Sequence, residues 1–193
     1  MGNSIKKNQN GEKFLRKTYD HVSFADWNFF DCTFEKCSFQ ECLFQNTLFT
    51  DCTFLNCQLQ MPIIKSSRFQ DVEFNQCKLV GIDFYKCDSL FFSPHFINSM
   101  LLGCNFSNMK MKQTNFSESK IRDSHFTDTI LIQSDFRDTD LTGTLFHNAD
   151  LSKADFRNSQ NFSINPQTNT IKKARFSMPE ACSLLEYFDI DLS

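Results

Sequence analysis

A large apolar residue returns at every fifth position for most of this chain, and no regular helix or strand has that period. Counting from Phe14 gives Tyr19, Phe24, Phe29, Phe34, Phe39, Phe44, Phe49, Phe54, Leu59, Ile64, Phe69, Phe74, Leu79 and Phe84. A second run follows in a shifted frame: Phe91, Phe96, Leu101, Phe106, Met111, Phe116, Ile121, Phe126, Leu131, Phe136, Leu141, Phe146, Leu151 and Phe156. The step from Phe84 to Phe91 spans seven residues, so two are inserted there. An amphipathic helix repeats near 3.6 and a half-buried strand at 2, so a sustained period of 5 requires a chain that turns a corner every five residues. The residue two before each centre supplies a second inward position. It is small almost throughout, as at Cys32, Cys37, Cys42, Cys52, Cys57, Ser67, Val72, Cys77, Cys104, Thr114, Ser119, Ser124, Ala149 and Ala154.

Centre large, two-before small and the rest polar resembles the pentapeptide-repeat family, whose consensus A(D/N)LXX is matched by ADLSK at 149–153 and ADFRN at 154–158. The resemblance covers roughly residues 12–160. It implies an all-β fold, a right-handed quadrilateral parallel β-helix in which four pentapeptides close one square coil and residues twenty apart stack. The sequence tests that independently. Grouped by twenty, with the insertion counted once, one column reads Phe34, Phe54, Phe74, Phe96, Phe116, Phe136, Phe156, and another reads Tyr19, Phe39, Leu59, Leu79, Leu101, Ile121, Leu141. A bare five-residue rule would not sort aromatic from aliphatic residues by face. About seven coils at the ~4.8 Å spacing of paired strands give a rod about 35 Å long. Each buried Phe contributes roughly 2–3 kcal/mol of apolar burial.

The chain has 24 Phe but one Trp and three Tyr, as expected if Phe is reserved for a repeat. Eight of its nine cysteines, all but Cys182, keep the small inward place of the repeat, seven of them two before a centre and Cys87 on the way into the insertion, so their spacing reads as packing rather than as a metal site or disulfide framework. That many reduced thiols, with no long apolar run and no apolar leader, point to a cytoplasmic protein. Residues 1–17 carry five basic side chains against one acidic, leaving 15 basic and 22 acidic on the remainder. An acidic body disfavours direct nucleic-acid binding.

Three segments leave the plain repeat. Residues 85–95, YKCDSLFFSPH, contain the insertion. They read either as a partner contact made by Tyr85, Lys86, Phe92 and His95 or as a two-residue bulge with Phe91, alone or together with Phe92, tucked inside. At LQMPIIKS the register holds, with Pro62 inward and Met61 and Ile63 outward. After Phe156 the beat fades, and residues 161–193 read as a cap: Ser177 and Glu180 have capping-box spacing, and Ala181, Leu184, Leu185 and Phe188 share one face of a helix expected at about 178–188. The division expected is a flexible basic tail at 1–11, a β-helix at 12–160 and the cap.

On the outward side, Asp31, Asp51 and Asp71 stand twenty apart, so the stacked coil places them about 5 Å from one another. Such a row is either a solvated face or a set of carboxylates imitating phosphates. The four histidines are scattered, and no HExxH, CxxC or Gly-rich phosphate loop occurs, so neither an enzyme nor a cofactor is expected.

The closing stretch, DLSKADFRNS followed by a cap ending SLLEYFDIDL, looks like that of the Qnr and mycobacterial fluoroquinolone-resistance groups. That resemblance implies a DNA-like rod that engages a type II topoisomerase, chiefly DNA gyrase, and protects it from quinolones or toxins. It also implies a homodimer joined at the C-terminal cap. Carried over by position, Asp31, Asp51 and Asp71 fall on the anionic face, residues 85–95 on the projecting loop, and Leu184, Leu185 and Phe188 on the dimer contact. This chain inserts only two residues where the Qnr proteins carry larger loops. The alternative is a general protein-interaction scaffold or effector with a different partner.

Overall fold

Each five-residue step contributes one short extended segment and one corner, and the corner has a fixed backbone signature. Outside the insertion the residue two after each centre is left-handed, from Arg16 (φ 51°) through Asp31 (φ 50°) and Asn56 (φ 54°) to Asn158 (φ 60°). That geometry costs an ordinary L-residue about 1–2 kcal/mol and is best tolerated by Gly, Asn and Asp, which recur here. Gly143 (φ 69°) holds one such corner, where a Cβ would lie 2.3 Å from Asp123 Oδ1.

The computed structural model describes residues 7–188 and 190, folded as a parallel β-solenoid of about eight turns. Asn8–Asn10, Asn28–Phe30, Leu48–Thr50 and Arg68–Gln70 pair in order on the first face. The second face carries Lys13–Leu15, Thr33–Glu35, Thr53–Leu55, Glu73–Asn75 and His95–Ile97, and the third runs from Thr18–Asp20 to Lys120–Arg122. Isolated bridges such as Ser23 to Leu43 and Asn105 to His125 make up most of the fourth. Strand partners lie twenty residues apart except across the insertion, where Phe74 pairs with Phe96 and Leu79 with Leu101 at twenty-two.

The interior is built as the two columns require. On the second face Phe rings stack without a break from Phe14 to Phe176, with centroids as close as 4.6 Å for Phe34 and Phe54 and no farther than 5.3 Å. Rings on neighbouring faces meet edge-on, as do Phe116 and Phe126 at 88°, which is a favoured aromatic geometry. A void bounded by Phe44, Pro62 and Phe69 holds about 10 Å³ and has an apolar lining that offers a water no hydrogen-bond partner.

The small inward residues do more than fill space. Cys57 Sγ donates to the Phe34 carbonyl at 3.1 Å and accepts the Cys37 N–H at 3.3 Å, and Cys77 repeats both contacts one coil on. Ser99 and Ser119 continue the column with hydroxyls. Each therefore bridges two coils, a role open to Cys, Ser and Thr but not to Ala. Burial pushes the Cys52 and Cys104 thiols up to about 12, so they stay protonated and unreactive. A native-state titration with a thiol reagent at pH 8 is expected to count one reactive cysteine, Cys182, against nine after unfolding, since the other eight are buried.

The solenoid is longer than the expected 12–160. Asn8–Asn10 pairs with Asn28–Phe30, so residues 8–11 are part of the first coil and not of a tail, while 1–6, including Lys6, lie outside the described residues. At the other end Leu145 bridges Ser163 eighteen residues on, Asp150 bridges Thr170 at twenty, and Arg175–Phe176 pairs with Asp155–Phe156. The beat fades because this coil is shortened by two residues and then restored, with Phe162 and Ile164 still buried. The cap is a 3-10 helix over Glu180–Phe188. The capping box does not form, because the Ser177 hydroxyl is engaged with Asn158, accepting its N–H at 3.1 Å and donating to its Oδ1 at 3.3 Å.

A candidate protein-interaction surface

Asp31, Asp51 and Asp71 lie where the first face turns into the second, each exposed and each at a left-handed corner (φ 50°, 53° and 50°). The three form a column, and among the described residues none has an ion-pair partner. Unpaired like charges one coil apart repel, so the row gains only when a cationic surface meets it. It ends at the insertion: the Ser93 hydroxyl donates to Asp71 Oδ1 at 2.9 Å and accepts the Asp71 N–H at 2.8 Å. Beyond that point the same corner reads Gln113, Gln133, Lys153, Lys173. The acidic row is thus confined to the N-terminal half of the rod, and the corner turns basic toward the C-terminus.

The insertion is held by Asp88, whose carboxylate caps the Leu90 N–H at 3.0 Å and takes Arg68 Nε at 2.7 Å. Those two bonds hold its carboxyl below the ordinary value. Of the four loop residues singled out by sequence, Tyr85 is 44% exposed and Lys86 pairs with Asp83 at 2.6 Å. Phe92 is 6% exposed, packed edge-on against Phe69 and Phe84, and is not available to a partner. His95 belongs to the second face, where its Nδ1 accepts the Asn115 N–H at 3.1 Å. The exposed apolar residues here are Leu90 (70%) and Phe91 (50%). Pro94 is buried in the small inward place before Phe96, and the 3-10 turn over Ser89–Phe91 leaves Phe91 outside while Phe92 turns in.

At the cap, Leu184 packs against the chain's own core, whereas Leu185 and Phe188 are exposed. Tyr187 ties the helix down, its hydroxyl 2.5 Å from Ser163 Oγ and its carbonyl accepting Gln167 Nε2 at 3.0 Å. Met178 and Ile190 add to an apolar end surface. Among the described residues no group of three or more His, Cys, Asp or Glu side chains is placed to hold a metal, and no helix is long and apolar enough to cross a membrane.

The family model for the pentapeptide repeat region matches residues 27–90 and 90–156, most of the solenoid. The chain belongs to the pentapeptide-repeat family. Among solved pentapeptide-repeat structures it is similar to a trypsin-treated single-site variant of QnrB1, described as a plasmid-mediated fluoroquinolone resistance protein, with a TM-score of 0.82 and 18% identity over 98% of this chain and 100% of that one. A second trypsin-treated QnrB1 variant gives 0.82 and 20% over 97% and 98%, and full-length QnrB1 gives 0.62 and 17% over 95% and 100%. At these identities the likeness is one of fold. No curated protein matches the chain by sequence.

Proposed function

We propose that this pentapeptide-repeat protein is a non-enzymatic, cytoplasmic DNA mimic that binds a type II topoisomerase, DNA gyrase in the first instance, and protects it from quinolones or toxins. The observation that carries the reading is the unpaired column Asp31, Asp51, Asp71, spaced one coil apart on a rigid corner. A row of fixed carboxylates about 5 Å apart suits a groove built to hold phosphates. Similarity to a fluoroquinolone resistance protein along nearly the whole length supports the choice of partner. Because the corner turns basic at Lys153, the mimicry belongs to the N-terminal half of each rod. Leu185 and Phe188, both exposed, are assigned to a homodimer contact at the cap, with Leu184 anchoring the helix from beneath.

The test is gyrase supercoiling with the purified protein titrated in, with and without ciprofloxacin, beside a triple Asp31, Asp51, Asp71 to Asn variant. Inhibition or drug protection by the parent protein, weakened about tenfold or more in the variant, is the expected result, since three charge-assisted contacts are removed. Asparagine is chosen because it tolerates the left-handed corner, as Asn46 and Asn56 do. No effect of the parent at tens of micromolar would sink this reading. The second reading, a scaffold for another partner, is favoured specifically by Leu90 and Phe91, which stand exposed beside Tyr85. Gyrase activity that survives the Asn variant but is lost in L90S/F91S would move the gyrase contact from the acidic column to this loop, and the second reading is selected only when the parent leaves gyrase unaffected.

A further inference from the structure

The first face, with the corner that follows it, carries opposite charge at its two ends. Asp31 and Asp51 lie one and two coils from Gly11 at the start of their column, and Lys153 and Lys173 are the last two members of it among the described residues. The lysines, like the aspartates, have no ion-pair partner among the described residues. Two rows of uncompensated like charge on one rigid corner are each unfavourable alone. They become complementary when the column is read against itself in reverse.

We propose that this face is a self-association surface on which two copies of the chain pair side by side and antiparallel. A two-fold axis perpendicular to the rod, passing between the layers of Ser93 and Gln113, sets Asp31 opposite Lys173 and Asp51 opposite Lys153, and by symmetry the same pairs recur at the other end. That operation also sets the exposed ring of Phe30 opposite Lys172, a cation–π arrangement. Asp150 falls opposite Leu48 and gains nothing. The strip is about 40 Å by 10 Å, so a pair hides roughly 800 Å² in total, an area typical of weak, reversible contacts. Because the pairing uses Asp31 and Asp51, it competes with any cationic partner for the acidic half of the rod.

The experiment is sedimentation velocity with small-angle X-ray scattering on full-length chains carrying L185D/F188D, so that an end-to-end contact at the cap does not contribute. At 50 mM salt a dimer with doubled cross-section and unchanged length is expected as concentration rises, weakening about tenfold or more at 500 mM salt. D31K/D51K and K153E/K173E should each remain monomeric, and an equimolar mixture should restore the side-by-side dimer, because every opposed pair is then again of opposite sign. Lysine and glutamate already occupy left-handed corners at Lys36 and Glu41, so the swaps leave the backbone no more strained than corners the chain already holds. A parent that stays monomeric throughout, or a mixture that fails to re-form the dimer, overturns the proposal. Gyrase plays no part in the readout, so failure here and failure of the topoisomerase reading are separate results.

Discussion

Phe74→Ala is expected to cost about 3–5 kcal/mol of folding stability. Phe74 is 0% exposed, and its ring stacks on Phe54 at 4.9 Å and on Phe96 at 5.3 Å. The coils above and below are fixed by backbone hydrogen bonds at Glu73 and His95, so they cannot close over the space an alanine would leave. Each coil of a solenoid contacts only its neighbours, so the loss acts as a break between the two halves of the rod. Phe14→Ala is the internal comparison: it is partly buried and has a stacked neighbour on one side only, Phe34 at 4.7 Å. Urea unfolding of the two variants should differ by about 2 kcal/mol or more, with hydrogen exchange rising first in the coils flanking residue 74. Equal losses would mean that the column does not act as a stack.

The period of five makes the architecture legible, because a corner every five residues and a coil every twenty leave few alternatives. The small inward residues are legible as positions but not as bonds: nothing in the spacing of Cys57, Cys77 and Ser99 reveals that each accepts an N–H from the coil before. The exits from the repeat are harder. In SLFF the sequence offers two phenylalanines for one inward place; the beat from Phe96 points to Phe91, but the 3-10 turn over Ser89–Phe91 leaves that ring outside and turns Phe92 in. The cap differs from the expected capped helix because the Ser177 hydroxyl that suits a capping box finds Asn158 of the previous coil first. Similarly, the turn from Asp71 to Lys153 is present in the sequence, but it emerges only after the insertion is placed and the column continues through Ser93.

Ser99→Ala is expected to destabilise by about 1–3 kcal/mol although it removes a single buried oxygen. Ser99 Oγ accepts the Cys77 N–H at 2.9 Å and donates to the carbonyls of Ile97 at 2.9 Å and Phe74 at 3.2 Å. The site is 3% exposed, so no water replaces the hydroxyl, and the Cys77 N–H is left without a partner. Ser99→Cys is the discriminating variant, since Cys77 and Cys57 fill the equivalent place one and two coils earlier with the same pair of contacts. A thiol there should recover most of the lost stability despite its larger volume. If alanine and cysteine prove equally costly, the small inward column is a matter of packing alone; if cysteine rescues, the column holds the coils together by hydrogen bonds, and the residue types at Cys37, Cys57, Cys77, Ser99 and Ser119 have a common physical cause.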